Sequence, residues 1–150
     1  MTRVDFYILD SDDPVLRMRF ACRLAEKAWR MGNRIHIHAS DRMTAETLDN
    51  LLWETRPEAF IPHALTPATK GTPIHIGYGE NGYGKDGGQH HDLLINLCED
   101  IPLFFSRFDR VSEIVTQIPE QLATSRERFK FYRERGYPLE SHKISAKGQT

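Results

Sequence analysis

The sequence has few cysteines, no long apolar run and no large excess of charge of one sign. Its 150 residues include two cysteines, Cys22 and Cys98, and no C-x-x-C pair. This usage argues against a disulfide framework and favours two buried thiols in a reducing compartment. No apolar stretch approaches the roughly 20 residues that span a membrane, and no signal peptide is recognisable. We therefore expect a cytoplasmic protein that does not enter a membrane.

The formal net charge is −1, which argues against a general attraction to nucleic acids. The charge is unevenly distributed, however. Residues 120–150 contain seven Lys or Arg and four Glu, a net charge of +3, which leaves −4 for residues 1–119. The sequence thus predicts a local basic region near the C-terminus, too weakly charged for strong direct binding of DNA.

Alternating strand and helix patterns predict an α/β fold. Val4–Leu9 is a short run of strand-forming residues, and Arg34–Ala39 alternates as a second strand. A helix pattern that opens at Pro14 and closes at Gly32 separates them, and Ser40 or Asp41 can cap a second helix. This order predicts a single domain with a mostly parallel central sheet and helices on both faces.

The second half of the chain continues the same pattern. The predicted elements are strands at Pro73–Gly77, Asp92–Leu97 and Val111–Val115, a short helix at Pro102–Phe108, and a last helix from Pro119 to about Arg135 that Gly136 ends. We expect the domain to cover residues 1–139 and residues 140–150 to form a polar, disordered tail.

A glycine-rich stretch, Gly77–Gly82, matches the pattern G-x-G-x-x-G. A dinucleotide site requires a helix directly after this pattern, because the helix N-terminus holds the pyrophosphate. Here more glycines follow, and then a strand. We therefore interpret Gly77–Gly88 as a loop between two strands, and we expect no cofactor.

Two other motifs point to chemistry. Asp10 and Asp12 follow an apolar strand, as in haloacid-dehalogenase-type phosphatases, so the alternative function is a phosphatase-like hydrolase that uses magnesium. Pro14 stands where that pattern requires Thr or Val, and helix capping explains the acids more simply. The histidines lack a ligand partner at a recognisable spacing, so we expect no metal site. They are His36, His38, His90 and His91.

Two stretches are better explained as binding surfaces. In the second helix, Trp53 projects away from the core stripe of Leu48, Leu51 and Leu52. Either residues 57–62 fold back over Trp53, or Trp53 and its neighbours form an exposed apolar patch for a partner. We call the set Trp53, Phe60, Pro62 and His63 the tryptophan surface.

The last helix carries the second stretch. Leu122, Arg126, Phe129 and Arg133 recur at helical spacing, with Tyr132 at the border of this face and Phe131 pointing away. An apolar centre between fixed cations suits an acidic peptide that has a hydrophobic end. The alternative is an ordinary amphipathic helix with a solvated basic edge.

Several short motifs between Val4 and about Leu139 occur together in one known family. They are Phe6–Asp10, Leu52-Trp53 with Arg56-Pro57, Phe60–His63, Asp92–Leu97, Arg126–Lys130, and Tyr132-Arg133 with Gly136. By these motifs the chain resembles the chi subunit family of the bacterial DNA polymerase III holoenzyme.

This resemblance implies a non-catalytic, Rossmann-like protein without a nucleotide site that bridges two partners. One is the psi subunit, which would bind the tryptophan surface; a helicase-like protein is a further partner that the resemblance implies there. The other is the acidic C-terminal tail of single-stranded DNA-binding protein, which ends in Pro-Phe. Its expected site, which we call the arginine surface, comprises Ile118, Arg126, Phe129, Lys130 and Arg133. Single-stranded DNA would be contacted only indirectly.

Overall fold

A computed structural model describes residues 2–55, 63–65, 73–79 and 91–145. The strands in these ranges are β1 (Arg3–Leu9), β2 (Ile35–Ala39), β3 (His63–Leu65), β4 (Ile74–Tyr78), β5 (Leu93–Asn96), β6 (Arg110–Val115) and β7 (Leu139–Ile144). The helices are α1 (Pro14–Arg30), α2 (Arg42–Thr55) and α3 (Pro119–Glu134), with a 3-10 turn at Phe105–Arg107.

The seven described strands form one sheet in the order β3-β4-β2-β5-β6-β1-β7. Every neighbouring pair is parallel. Parallel strands are usually covered on both faces, which explains the apolar runs of residues 6–9 in β1 and residues 93–95 in β5. The predicted α/β class with a parallel sheet is confirmed.

The two faces of the sheet build two separate cores. On one face, Leu9, Ile37 and Ile95 pack with the apolar residues of α1 and α2. On the other face, Phe6 and Val111 pack with the apolar side of α3. The prediction of helices on both faces is therefore confirmed.

The helix ends follow the predicted capping chemistry. Asp13 accepts a hydrogen bond from the Val15 amide at 2.9 Å, and Asp41 accepts one from the Thr44 amide at 2.8 Å. Gly136 follows α3 with a φ of 80°, a left-handed conformation that favours glycine. The Tyr137 amide then donates back to the Tyr132 carbonyl at 3.1 Å, which satisfies a terminal helix group.

Two boundaries differ from the prediction. The expected tail from residue 140 is wrong for residues 140–144, because they belong to β7, which pairs with β1. β7 is rich in polar residues, and an edge strand next to solvent tolerates such residues on its exposed side. The predicted helix at Pro102–Phe108 is only the short 3-10 turn at Phe105–Arg107. Residues 146–150 lie outside the described part of the chain.

The cysteines are separate thiols, as predicted. Cys22 is buried and Cys98 is partly buried. Desolvation raises the pKa of the Cys22 thiol to about 12 and that of Cys98 to about 11, so both remain protonated at neutral pH. Among the described residues, no helix has the length and apolar character needed to cross a membrane.

A buried carboxylate, Glu113 on β6, connects α3 to the sheet. Its side chain is only 1% exposed and receives a salt bridge from Arg128 of α3, with Nη1 and Oε1 2.7 Å apart. Its other oxygen, Oε2, accepts hydrogen bonds from the Tyr132 hydroxyl at 2.8 Å and from Asn96 at 3.1 Å. We call these four residues the Glu113 cluster. Both carboxylate oxygens of Glu113 therefore have partners, and these contacts offset much of the free-energy cost of burying the charge.

Arg128 makes hydrogen bonds to the backbone in addition to its salt bridge. Its second guanidinium nitrogen, Nη2, donates to the carbonyls of Cys98, at 2.5 Å, and Glu99. Desolvation, with the Glu113 charge as a second cause, raises the pKa of Tyr132 well above its usual range, so the phenol stays a hydrogen-bond donor. The cluster therefore fixes α3 in one rotation over β5 and β6.

We predict that Glu113→Gln destabilises the fold by about 3–5 kcal/mol, because it leaves the Arg128 guanidinium buried without its counter-charge. The double variant Glu113→Gln with Arg128→Met should regain part of this loss. Urea unfolding followed by circular dichroism measures both. Glu46→Gln is the matched control, since it removes a carboxylate from an exposed ion pair with Arg42 and should change little. A Glu113→Gln loss no larger than that of the control would contradict the prediction.

Three histidines form a buried row on the face of the sheet that carries α3. His36 and His38 lie on β2, and His75 lies on the neighbouring β4. The Nδ1 atoms of His36 and His75 are 2.8 Å apart, and His36 Nε2 lies 3.1 Å from His38 Nδ1. Burial lowers the pKa of His38 to about 4, so its neutral form is favoured.

We predict acid destabilisation through this row. A folded-state pKa lowered from 6.5 to about 4 gives stability that is present above pH 6.5 and is lost as the pH falls towards 4. Between pH 7 and pH 5, His38 alone should contribute a loss of about 2 kcal/mol. Urea unfolding at both pH values measures this loss, and His38→Gln should reduce it. An identical pH dependence in the variant would show that His38 is not the responsible group.

Candidate interaction surfaces

The tryptophan surface begins on α2. Leu48 and Leu52 of this helix are buried in the core, whereas Trp53 is 49% exposed. The helical projection that pointed Trp53 away from the core stripe is therefore confirmed. Met43, 78% exposed, is a second large apolar side chain on the outside of α2.

The other residues predicted for this surface are described less fully. Phe60 and Pro62 lie outside the described residues. His63 begins β3, the edge strand that pairs with β4. Since α2 packs against β3 and β4, the backbone of His63 and the helix that carries Trp53 lie at the same end of the sheet.

The arginine surface lies on α3, at the other end of the sheet. Arg126, Lys130 and Arg133 are exposed, whereas Phe129 is partly buried. The Phe129 ring packs against Phe6 of β1, with ring centroids 5.5 Å apart. The Arg133 guanidinium carbon lies 5.9 Å from the Phe129 centroid, within range of a cation–π interaction. Phe129 thus anchors an apolar centre between two cations, as the sequence predicts.

The Arg-Glu-Arg motif divides between surface and core. Arg126 points outward, while Arg128 is buried in the Glu113 cluster. Sequence reasoning did not select Arg128, although its spacing of four residues from Tyr132 could have indicated a shared buried face. Tyr132 is fully buried rather than at the border, and Phe131, expected to point away, is partly buried against Phe105 at 6.0 Å.

Ile118 differs from the other residues of the arginine surface because it lines a cavity. It precedes α3 and lines a space of about 520 Å³ together with Arg17, Gln121 and Arg128. The four other residues of the arginine surface do not line this cavity. The structure therefore brings Phe129 and Arg133 into contact, whereas Ile118 precedes α3 and lines the cavity at the start of this helix.

The cavity lies where parallel α/β sheets commonly bind ligands. At the carboxyl ends of β1 and β6 the chain departs to α1 on one face and to α3 on the other, a topological switch point. Arg17 donates to the carbonyls of Ile114 at 2.8 Å and Leu97 at 3.4 Å. Desolvation lowers its pKa to about 10, so it stays charged at neutral pH. Two arginines and three glutamates line the cavity, so its lining does not favour an anion.

The residues of the alternative hydrolase lie at the end of β1. Asp10 and Asp12 are both exposed in the turn that precedes α1, and Asp13 is the residue that caps this helix. The glycine-rich stretch starts in β4 and leads to β5, in agreement with a connection between strands. Gly79 has a φ of 75°, and residues 80–90 lie outside the described part of the chain.

One group of side chains in the described residues has the spacing of metal ligands. It consists of Asp5, Glu140 and His142, whose donor atoms lie within 4.8 Å of one another. Asp5 is already paired with Arg110 at 2.7 Å, and Glu140 with Arg3. The two arginines neutralise both carboxylates, so the group is explained as an ion-pair network that joins β1 to β7.

A solved structure has the same fold. The crystal structure of T4 UvsW matches 97% of this chain with a TM-score of 0.70, and the chain covers 42% of that protein's chain. The sequence identity is 8%, so the likeness concerns the fold alone.

Sequence comparisons show relatives of this chain in addition to the shared fold. The family model described as DNA polymerase III chi subunit, HolC, matches residues 1–140. DNA polymerase III subunit chi of Pseudomonas aeruginosa is 46% identical over 96% of this chain and 98% of its own length. The Haemophilus influenzae subunit chi is 34% identical over 93% of this chain and 95% of its own, and that of Escherichia coli is 31% identical over 93% and 96%. The chain therefore belongs to the DNA polymerase III chi subunit family.

Proposed function

We propose that this replication subunit is a non-catalytic bridge. The tryptophan surface would bind the psi subunit, and the arginine surface would bind the acidic C-terminal tail of single-stranded DNA-binding protein. The observation that carries the proposal is the pairing of an aromatic anchor with exposed cations on α3, where Phe129 lies between Arg126 and Arg133. The protein would act in the cytoplasm, at the replisome, and would contact single-stranded DNA only through its partner.

The chemistry of the arginine surface suits a tail that ends in Pro-Phe. Phe129 is held by Phe6 and offers part of its ring to solvent, so an apolar side chain can pack against it without rearrangement of the core. Arg126 and Arg133 can each hold a carboxylate by two parallel hydrogen bonds. Lys130 would add positive charge at the edge of this surface, and its Nζ also lies 3.9 Å from Oε1 of Glu134. Ile118 would contribute an apolar contact nearer the helix start.

The tryptophan surface suits a partner that buries an aromatic anchor. Exposed tryptophans are frequent among the residues that dominate interface energetics. The other psi contacts in this proposal are Phe60, Pro62 and His63. A helicase-like protein could compete with psi for the same surface.

The sheet order supports a proposal that both partners bind at the same time. β3 and β7 are its two edges, and six strand spacings of about 4.8 Å separate them by roughly 29 Å. α2 packs at the β3 end, whereas α3 packs at the β7 end on the opposite face. Neither partner would then need to displace the other.

We predict that Arg126→Ala weakens binding of the acidic tail peptide about five- to tenfold without lowering the melting temperature, because Arg126 is exposed. Calorimetric titration at two salt concentrations measures the loss and its electrostatic part, which should shrink at high salt. Arg19→Ala, which removes an exposed arginine from α1 on the other face, is the matched control. Equal affinities in the two variants would reject the assignment of the tail site.

We predict that Trp53→Ala abolishes co-purification with psi and leaves tail binding and the melting temperature unchanged. The reason is that Trp53 is half exposed in the structure and would be buried by the partner. Met43→Ala, which truncates another exposed side chain of α2, should retain psi. If Trp53→Ala instead lowers the melting temperature and reduces both activities, Trp53 is a structural residue and not a psi contact.

A further inference from the structure

We propose that Lys143 of β7 forms a second cationic wall opposite α3, so that the acidic peptide binds in a groove between helix and strand. This inference rests on the proposed tail-binding function and adds to it a residue that sets where the peptide's carboxylates lie. The groove is defined by Arg126, Phe129 and Arg133 on the helix side and by Ile8 and Lys143 on the sheet side.

The rotation of α3 fixes the helix wall of the groove. Arg128 reaches Glu113 on β6, and Phe129 reaches Phe6 on β1, the next strand of the sheet. In a helical projection at 100° per residue, Arg133 and then Arg126 follow Phe129 in the same direction around the helix. Both arginines therefore lie on the side of β7. These two arginines therefore overhang the edge strand.

The alternation of side chains along β7 fixes the other wall. Leu139 packs in the core under α3, whereas Ile144 packs in the core under α1. His142 also lies on the α1 side, because its ring stacks on Tyr7 at 4.9 Å. Successive strand residues point to opposite faces, so Lys143 lies on the α3 side with Leu139. Lys143 is exposed and pairs in register with Ile8.

Lys143 and Arg126 lie at a similar height along the groove. Phe129 packs on Phe6, which pairs with Ser141 of β7. Lys143 is two residues further along the strand, about 6.6 Å towards the carboxyl edge. Because α3 returns antiparallel to the strands, Arg126 lies about 4.5 Å from Phe129 in that same direction. The two cations thus face each other across the groove.

The floor and the charge of the groove suit an acidic peptide with an apolar end. Ile8, Leu122 and Phe129 are partly buried, and each packs against the core under α3. Glu140 lies on the other face with Arg3, and Asp10 lies beyond the end of β1. Three cations therefore surround an apolar floor. Carboxylates of the peptide would lie between Arg126 and Lys143, with its apolar residue on Phe129.

The test compares Lys143→Glu with Lys27→Glu, which makes the same change of charge at an exposed residue of α1. The probe is a short synthetic peptide with a run of aspartates that ends in Pro-Phe, titrated by calorimetry into the full chain. We expect Lys143→Glu to weaken binding about tenfold or more, Lys143→Ala about three- to fivefold, and Lys27→Glu less than twofold. Melting temperatures check that the variants remain folded.

A second peptide, in which asparagine replaces each aspartate, tests the assigned contact. It should bind the wild type weakly and should lose little further affinity in Lys143→Glu. If Arg126→Ala weakens binding but Lys143→Glu behaves like Lys27→Glu, the groove inference is wrong and the tail-binding function stands. If the wild type does not bind the acidic peptide, both fail. If a single-stranded oligothymidine binds the groove more tightly than the peptide, the occupant is nucleic acid and the inference is overturned.

Discussion

The buried Glu113 carboxylate is the interaction on which the outer surface of α3 depends. It is held on β6 by the sheet and fully engaged by Arg128, Tyr132 and Asn96. A buried charge requires such partners, because removing its charged partner would lower the free energy of unfolding by several kcal/mol. Since the carboxylate is fixed, Arg128 and Tyr132 must face it. The rotation of α3 is therefore set by polar contacts as well as by apolar packing.

This rotation decides which residues of α3 remain available to a partner. With Arg128 directed to β6, Phe129 falls over β1 and Arg126 is left in solvent. The two arginines of one short motif thus have opposite roles, one structural and one exposed. Loss of the buried arginine would alter the exposed surface indirectly, so a binding defect alone cannot identify a contact residue in this helix. Stability has to be measured with affinity, as the exposed controls allow.

Much of the fold could be predicted from local sequence signals. Asp13-Pro14, Asp41 and Gly136 mark helix ends by chemistry that acts within a few residues. β7 could not be predicted, because its polar residues are tolerated only through pairing with β1, a contact between distant parts of the chain. Arg128 was missed because its partner Glu113 lies on another element, and the local indication of its burial was no more than its spacing of four residues from Tyr132.

The parallel sheet separates the helix that carries Trp53 from the helix that carries Arg126. The chain leaves β2 through α2 towards one edge of the sheet and leaves β6 through α3 towards the other. Right-handed crossovers in opposite directions must lie on opposite faces, so α2 and α3 are kept apart by the sheet itself. In the proposed bridge, this sheet would hold the two partners at a fixed distance, because α2 and α3 cannot approach each other without unfolding of the core between them.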